Sequence, residues 1–188
     1  MHMTSGTLTA NLGDEPLTAD EEAYLAGLEA YDAEDQGYSG IMCTRPDTIA
    51  AALLDSPAGL LAWIADKYRD WSDCGGELES RWDMDTLLTV ATLYWVTGSI
   101  GSSFRIYYDY AHNEPRPDVT VPAAITLSHE PLMANFPKGL VERTMTDLRH
   151  WSTPDQGGHF MAHEEPQQVI EELRTFFRPL RSLVQASR

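Results

Sequence analysis

From residue 18 to residue 112 the apolar residues of this chain recur at helical spacing, and β-prone runs lie only before and after that block. The implied order is strand, four or five helices, strand, helix, strand, helix. Such an order predicts an α/β fold in which a helical block is inserted between pieces of one α/β unit, with too few strands for a complete open sheet. The expected organisation is residues 1–12 as a core strand and loop, 13–112 as the helical block, and 113–188 as the rest of the α/β core.

Local signals place the elements. Thr18 and Glu21 have capping-box spacing, and Tyr24, Leu25, Leu28 and Tyr31 follow on one helical face. Gly37-Tyr38-Ser39-Gly40 reads as a turn. Pro46-Asp47 opens a second helix that runs through Leu54, and Ser56-Pro57 opens a third with Leu60, Leu61, Trp63, Ile64 and Tyr68 inward. Gly75-Gly76 marks a loop. The next helix starts near Asp83 with Leu87, Leu88, Ala91, Tyr94 and Trp95 inward, and a shorter amphipathic piece covers 102–110. Pro115, Pro117 and Asp118 make 111–118 a linker. Beyond it, 119–127 and 148–152 read as strands, 136–145 as a helix, and 166–177 as an amphipathic helix with Val169, Ile170, Leu173 and Phe177 inward.

Composition narrows the partners. The 188 residues carry 13 Lys+Arg against 29 Asp+Glu, a net charge of -16. Phosphate backbones and anionic membranes require a basic face, so nucleic acid and membrane surfaces are excluded as partners. Five Trp and eight Tyr argue for a packed core. The charge-free run 86–104 approaches bilayer length, but its Thr and Ser residues and Gly98 and Gly101 make it a buried helix of a soluble protein. Cys43 and Cys74 form no CxxC pair, and no basic-then-apolar leader opens the sequence; a reducing, cytoplasmic setting is expected.

Few residues suggest chemistry. His159 follows Gly157-Gly158 in an expected strand-to-helix loop, where a polar side chain can project as an acid or base or simply be solvated. His159 and His163 have i, i+4 spacing beside Glu164, but flanking glycines and Pro166 predict a loop there, and no third metal ligand is evident. No metal or other cofactor is expected. Glu130 follows the strand ending near Leu127, where a carboxylate can orient a histidine or face solvent. Tyr38 and the Tyr107-Tyr108 pair offer phenols that stay protonated at neutral pH and can donate to an oxygen gaining charge; they could equally be core aromatics. No GxGxxG, phosphate loop, G-x-S-x-G or G-x-D-x-G occurs.

The stretches GYSGIMCTRPDTIAAALLDSPAGLLAWIADKYRDWSD, DTLLTVATLYWVTGSIGSSFRIYYDY and QGGHFMAHEEPQQVIEELRTFFRPL resemble the C-terminal half of the microsomal-type epoxide hydrolases. The TRPDT, DSPxGL, YWVTG and GGHF pieces keep the family's order and spacing. The resemblance implies an incomplete α/β-hydrolase fold: one core strand, a helical cap, and the last two strands with their helices. It also implies a two-step hydrolysis of an epoxide to a vicinal diol. An aspartate attacks an epoxide carbon, two cap tyrosines hold and protonate the oxygen, and a histidine backed by an acid activates the water that cleaves the ester.

Residue by residue, Tyr38 matches the first cap tyrosine and Tyr107 the second, with Tyr108 a weaker claimant. His159 matches the base and Glu130 its acid. The family's Phe-Pro-x-Glu pattern is replaced before Glu130 by a segment ending in Ser128-His129, and Asp155-Gln156 stands where a more basic approach is usual. The family's nucleophile has no counterpart in these 188 residues, so the chain alone is expected to be inactive. Its expected ligand is a small apolar epoxide; its expected partner is a complementary N-terminal half or a second copy. The alternative is a non-catalytic half-domain that binds a partner or an apolar ligand.

Overall fold

The computed structural model describes residues 1–4, 12–35, 37–113 and 118–186. The chain divides into two compact units: Met1–Ala26, Trp71–Asp73 and Arg116–Arg188 form one, and Gly27–Asp70 with Cys74–Pro115 forms the other.

The first unit is built on a parallel sheet of β1 (His2–Thr4), β2 (Ala123–Thr126) and β3 (Leu148–Ser152), in that order among the described residues. Their register aligns Met3, Ile125 and Trp151 on one face, and His2, Ala124 and His150 with Thr4, Thr126 and Ser152 on the other. The first face is apolar. Against it pack Tyr24 and Leu25 of α1 (Ala19–Asp35), Leu140 and Val141 of α7 (Lys138–Glu142), and Phe136. The expected capping box forms at the start of α1, where Glu21 accepts from the Thr18 amide at 2.8 Å and Thr18 Oγ1 accepts from the Glu21 amide at 3.3 Å. Glu21 also takes two hydrogen bonds from Arg143, whose guanidinium further donates to the carbonyls of Leu12, Glu15 and Pro16. That hydrogen-bonded cation holds the Glu21 carboxyl down at about 2.

The other sheet face is polar and lies against α9 (Pro166–Ala186). His150 Nε2 pairs with the buried Glu172, which also accepts from Gln168, and Thr126 bonds both His2 and Ser152. Burial alone would raise the Glu172 carboxyl, but the hydrogen bonds outweigh it and lower it. This pairing corrects the expected inward face of α9. Phe176 and Glu172 are buried, whereas Ile170, Leu173 and Phe177 are 36 to 38% exposed. A polar sheet face with two histidines selects the helix face that can answer it.

The second unit is helical. It holds α2 (Gly37–Thr44), α3 (Pro46–Asp55), α4 (Pro57–Trp71, ending in the first unit), α5 (Met84–Thr97) and α6 (Ile100–His112). Its core joins Met42, Leu53, Leu60, Ile64, Ile100 and Phe104. Ser56 Oγ accepts from the Gly59 amide, and Asp83 caps α5 by accepting from Thr86, as the start signals require. Three expectations need correction here. Gly37-Tyr38-Ser39-Gly40 is the first turn of α2 rather than a turn between helices, because burying Met42 outweighs the glycines' weak helix propensity. The run 86–104 is two helices, since Gly98 at φ 61° ends α5. Leu88 is 42% exposed, because α5 buries only the narrow stripe of Leu87 and Ala91. Of the expected linker, 114–117 lie outside the described residues, and α6 extends through His112.

Among the described residues, no helix is long and apolar enough to cross a membrane.

Candidate active site

Two constellations carry the candidate residues, one in each unit.

In the first unit, β2 runs into a short segment that ends at Glu130. The Glu130 side chain is almost wholly buried, and its Oε2 lies 3.4 Å from His159 Nδ1. Its Oε1 accepts a short hydrogen bond from the buried Ser128. Ser128 belongs to the departure from the family's Phe-Pro-x-Glu pattern, and it gives the acid a donor. The His159 ring rests on Trp71 with centroids 5.0 Å apart and on the edge of Phe160 at 5.2 Å. Nδ1 is turned to the carboxylate, and the side chain is 36% exposed.

The loop that carries His159 is fixed by backbone bonds. The His159 amide donates to the Trp71 carbonyl at 2.8 Å, and the His129 amide donates to the Gly157 carbonyl at 2.7 Å. Glu164, 9% exposed, accepts from the amides of Asp73, Gly158 and Phe160 at 2.7, 3.1 and 3.0 Å. Asp73 in turn accepts from the Gly157 amide and lies 3.5 Å from His129 Nδ1. The two glycines of GGHF have separate reasons. Gly157 sits at φ +93°, and a Cβ at Gly158 would lie 2.5 Å from the Asp73 nitrogen and the Trp71 oxygen. Sequence reasoning missed Glu164 and Asp73 as supports of this loop. The signal for Glu164 was an acid five residues beyond the histidine, set aside as a neighbour of a metal pair. The expected loop at His163 is instead a short helix, α8 (Met161–Glu164), because Glu164 supplies acceptors for amides at its start. His159 precedes that helix, so His159 and His163 do not share a helical face.

In the second unit, Tyr38 of α2 and Tyr107 of α6 meet edge to face, centroids 6.3 Å apart. Both are half-buried against the helical core. Burial pushes the Tyr107 phenol up, with Cys43 and Tyr94 adding to that and Lys67 opposing it. Tyr108 is 40% exposed and stacks on His112 at 4.1 Å. Sequence reasoning also missed Lys67, whose ammonium lies 4.6 Å above the centre of the Tyr38 ring.

The arrangement offers a carboxylate-backed imidazole in one unit and two phenols in the other. No family model matches the chain. A putative epoxide hydrolase of Stigmatella aurantiaca is 38% identical over 167 residues, covering 88% of this chain and 38% of the relative. Among solved structures, the Aspergillus niger epoxide hydrolase superposes with a TM-score of 0.75 at 25% identity, covering 95% of this chain and 45% of that one. The juvenile hormone epoxide hydrolase of the silkworm Bombyx mori gives 0.72 at 34% identity, covering 82% and 42%. The chain spans less than half the length of each of these proteins.

Proposed function

Because the chain belongs with the epoxide hydrolases of the α/β-hydrolase fold, matching part of their length, we propose that it supplies the oxygen-side donors and the acid–base pair of an epoxide-to-diol hydrolysis. The observation that carries this reading is the buried Glu130 facing His159 Nδ1 at 3.4 Å, together with the Tyr38–Tyr107 pair.

The chemistry divides into two steps. In the first, a carboxylate attacks an epoxide carbon, and the carbon–oxygen electron pair moves onto the ring oxygen. Tyr38 and Tyr107 donate hydrogen bonds to that oxygen as it gains charge, and one phenol passes it a proton. In the second, His159 Nε2 takes a proton from water, which attacks the ester carbonyl; Glu130 holds the Nδ1–H tautomer and stabilises the imidazolium that forms. Loss of the alcohol from the ester then regenerates the carboxylate. The attacking carboxylate is assigned to an aspartate outside these 188 residues, since no G-x-D-x-G occurs in them. The partner of the chain is therefore polypeptide that carries this aspartate, and in its absence a second copy. The apolar residues Ile170, Leu173 and Phe177 exposed on α9 favour association over a dispersed monomer. The substrate class is a small apolar epoxide. Two free cysteines suit a reducing, cytoplasmic compartment.

The test is hydrolysis of an aryl epoxide by the chain alone and by the chain together with polypeptide encoded upstream of it. The expected result is no diol from the chain alone, diol from the combination, and a trapped ester detectable by mass spectrometry when His159→Ala is introduced. Turnover by the combination that survives His159→Ala, or turnover by the chain alone, overturns the proposal.

A further inference from the structure

The tyrosine pair has a charged neighbour that the two-step scheme does not use. Lys67, on α4, is 14% exposed, and its Nζ sits 4.6 Å over the Tyr38 ring, whose neighbour at 6.3 Å is Tyr107. A lysine on the outer side of a helix ordinarily extends into water. This one is folded over an aromatic face instead, held by Asp66 at 3.2 Å and Asp70 at 3.4 Å.

We propose that Lys67 acts through the two phenols, its ammonium stabilising the negative charge that a tyrosine takes on when it hands its proton to the opening ring oxygen. In that transfer the phenol O–H bond breaks, an O–H bond forms on the former epoxide oxygen, and the electron pair stays on the phenolate until solvent returns a proton. A phenolate half-buried among helices lacks most of its hydration, and a fixed cation offsets part of that loss. The role extends the proposed epoxide chemistry and rests on it.

The titratable groups that act on Tyr107 are Cys43 of α2, Lys67 of α4 and Tyr94 of α5, and of these Lys67 alone favours its ionised form, while the same Lys67 ammonium lies over the Tyr38 ring. Asp66 and Asp70 draw on the same ammonium, and Arg69 engages both acids at 3.3 and 3.2 Å, which leaves more of the lysine's charge for the rings. The geometry thus sets two substitutions against each other. Lys67→Met removes the cation and keeps the stem that packs on Tyr38; Asp70→Asn removes a competing acid and keeps the cation.

The experiment is a pH titration of the purified chain labelled at the tyrosine ring carbon next to oxygen, read by NMR, with Tyr38→Phe and Tyr107→Phe assigning the two signals. Lys67→Met is expected to raise the midpoint of the pair by about one unit, Lys67→Arg to leave it near the starting value, and Asp70→Asn to lower it. Unchanged midpoints in both Lys67→Met and Asp70→Asn overturn the inference. Should Lys67→Met fail to fold, the opposite-signed shift in Asp70→Asn, at a partly exposed position, decides the matter alone: a fall supports the role, and no change rejects it. Titration needs no turnover, so this result stands apart from the aryl epoxide assay. Shifted midpoints in a protein that never opens an epoxide would leave the lysine–tyrosine coupling intact and remove its proposed use.

Discussion

His159 and the tyrosine pair are positioned by different means. His159 is held by backbone: two carboxylates, Glu164 and Asp73, gather amides from two separated stretches of chain, and Gly158 lets those stretches touch. Tyr38 and Tyr107 pack their side chains against the helical core. Hydrogen-bonded backbone tolerates little change in shape, whereas packed helices tolerate change at the surface and little in the core.

That contrast can be broken in several places. The largest effect is expected from Phe104→Ala, which removes a buried ring packed against Trp63 in the helical core; it should cost about 3–5 kcal/mol and loosen the tyrosine pair. Denaturant unfolding followed by tryptophan fluorescence measures it. Next is Gly158→Ala, which drives a methyl into the Trp71–Asp73 backbone and should cost on the order of 1–3 kcal/mol while displacing His159. An unchanged melting temperature together with an unmoved His159 ring signal would contradict the close approach. Acid tests the Glu21–Arg143 anchor of the first unit. The Glu21 carboxyl is lowered from 4.5 to about 2, so its contribution is complete above 4.5 and fades as pH falls through about 2. Between those values the melting temperature of the wild-type protein should drop more steeply with pH than that of Glu21→Gln. The smallest effect sharpens the comparison most. Gly40→Ala, in α2 beside Tyr38, meets nothing within 4 Å and should stabilise by roughly 0.5–1 kcal/mol, opposite in sign to the same change at Gly158.

Legibility in the sequence follows the same division. Elements whose limits are set by local chemistry stand where the pattern puts them: the Thr18 capping box, the Ser56-Pro57 start, the Asp83 cap and the strand Leu148–Ser152. Features decided by what lies opposite are not readable from periodicity. The face of α9 turns on His150 and Glu172, which lie 22 residues apart, and the helical state of Gly37–Thr44 turns on burial of Met42. The candidate site divides likewise. GGHF marks His159 because glycines required by a close approach leave a local signature, while the support from Asp73 comes from 84 residues away. Lys67 leaves no signature, since only the fold shows that its stem lies over a ring.

The sheet pairing carries a kinetic consequence. The amino group of Met1 bonds the carbonyl of Pro122, 121 residues along the chain, and β1 then pairs with β2 in parallel. The helical unit occupies most of the loop that this pairing closes. Ordering that unit first shortens the slack that must be confined, and the entropy of closure falls accordingly. A strand of three residues gains few hydrogen bonds with which to offset a long closure, so β1 should dock late. Weakening the helical core would then slow formation of a sheet it does not belong to.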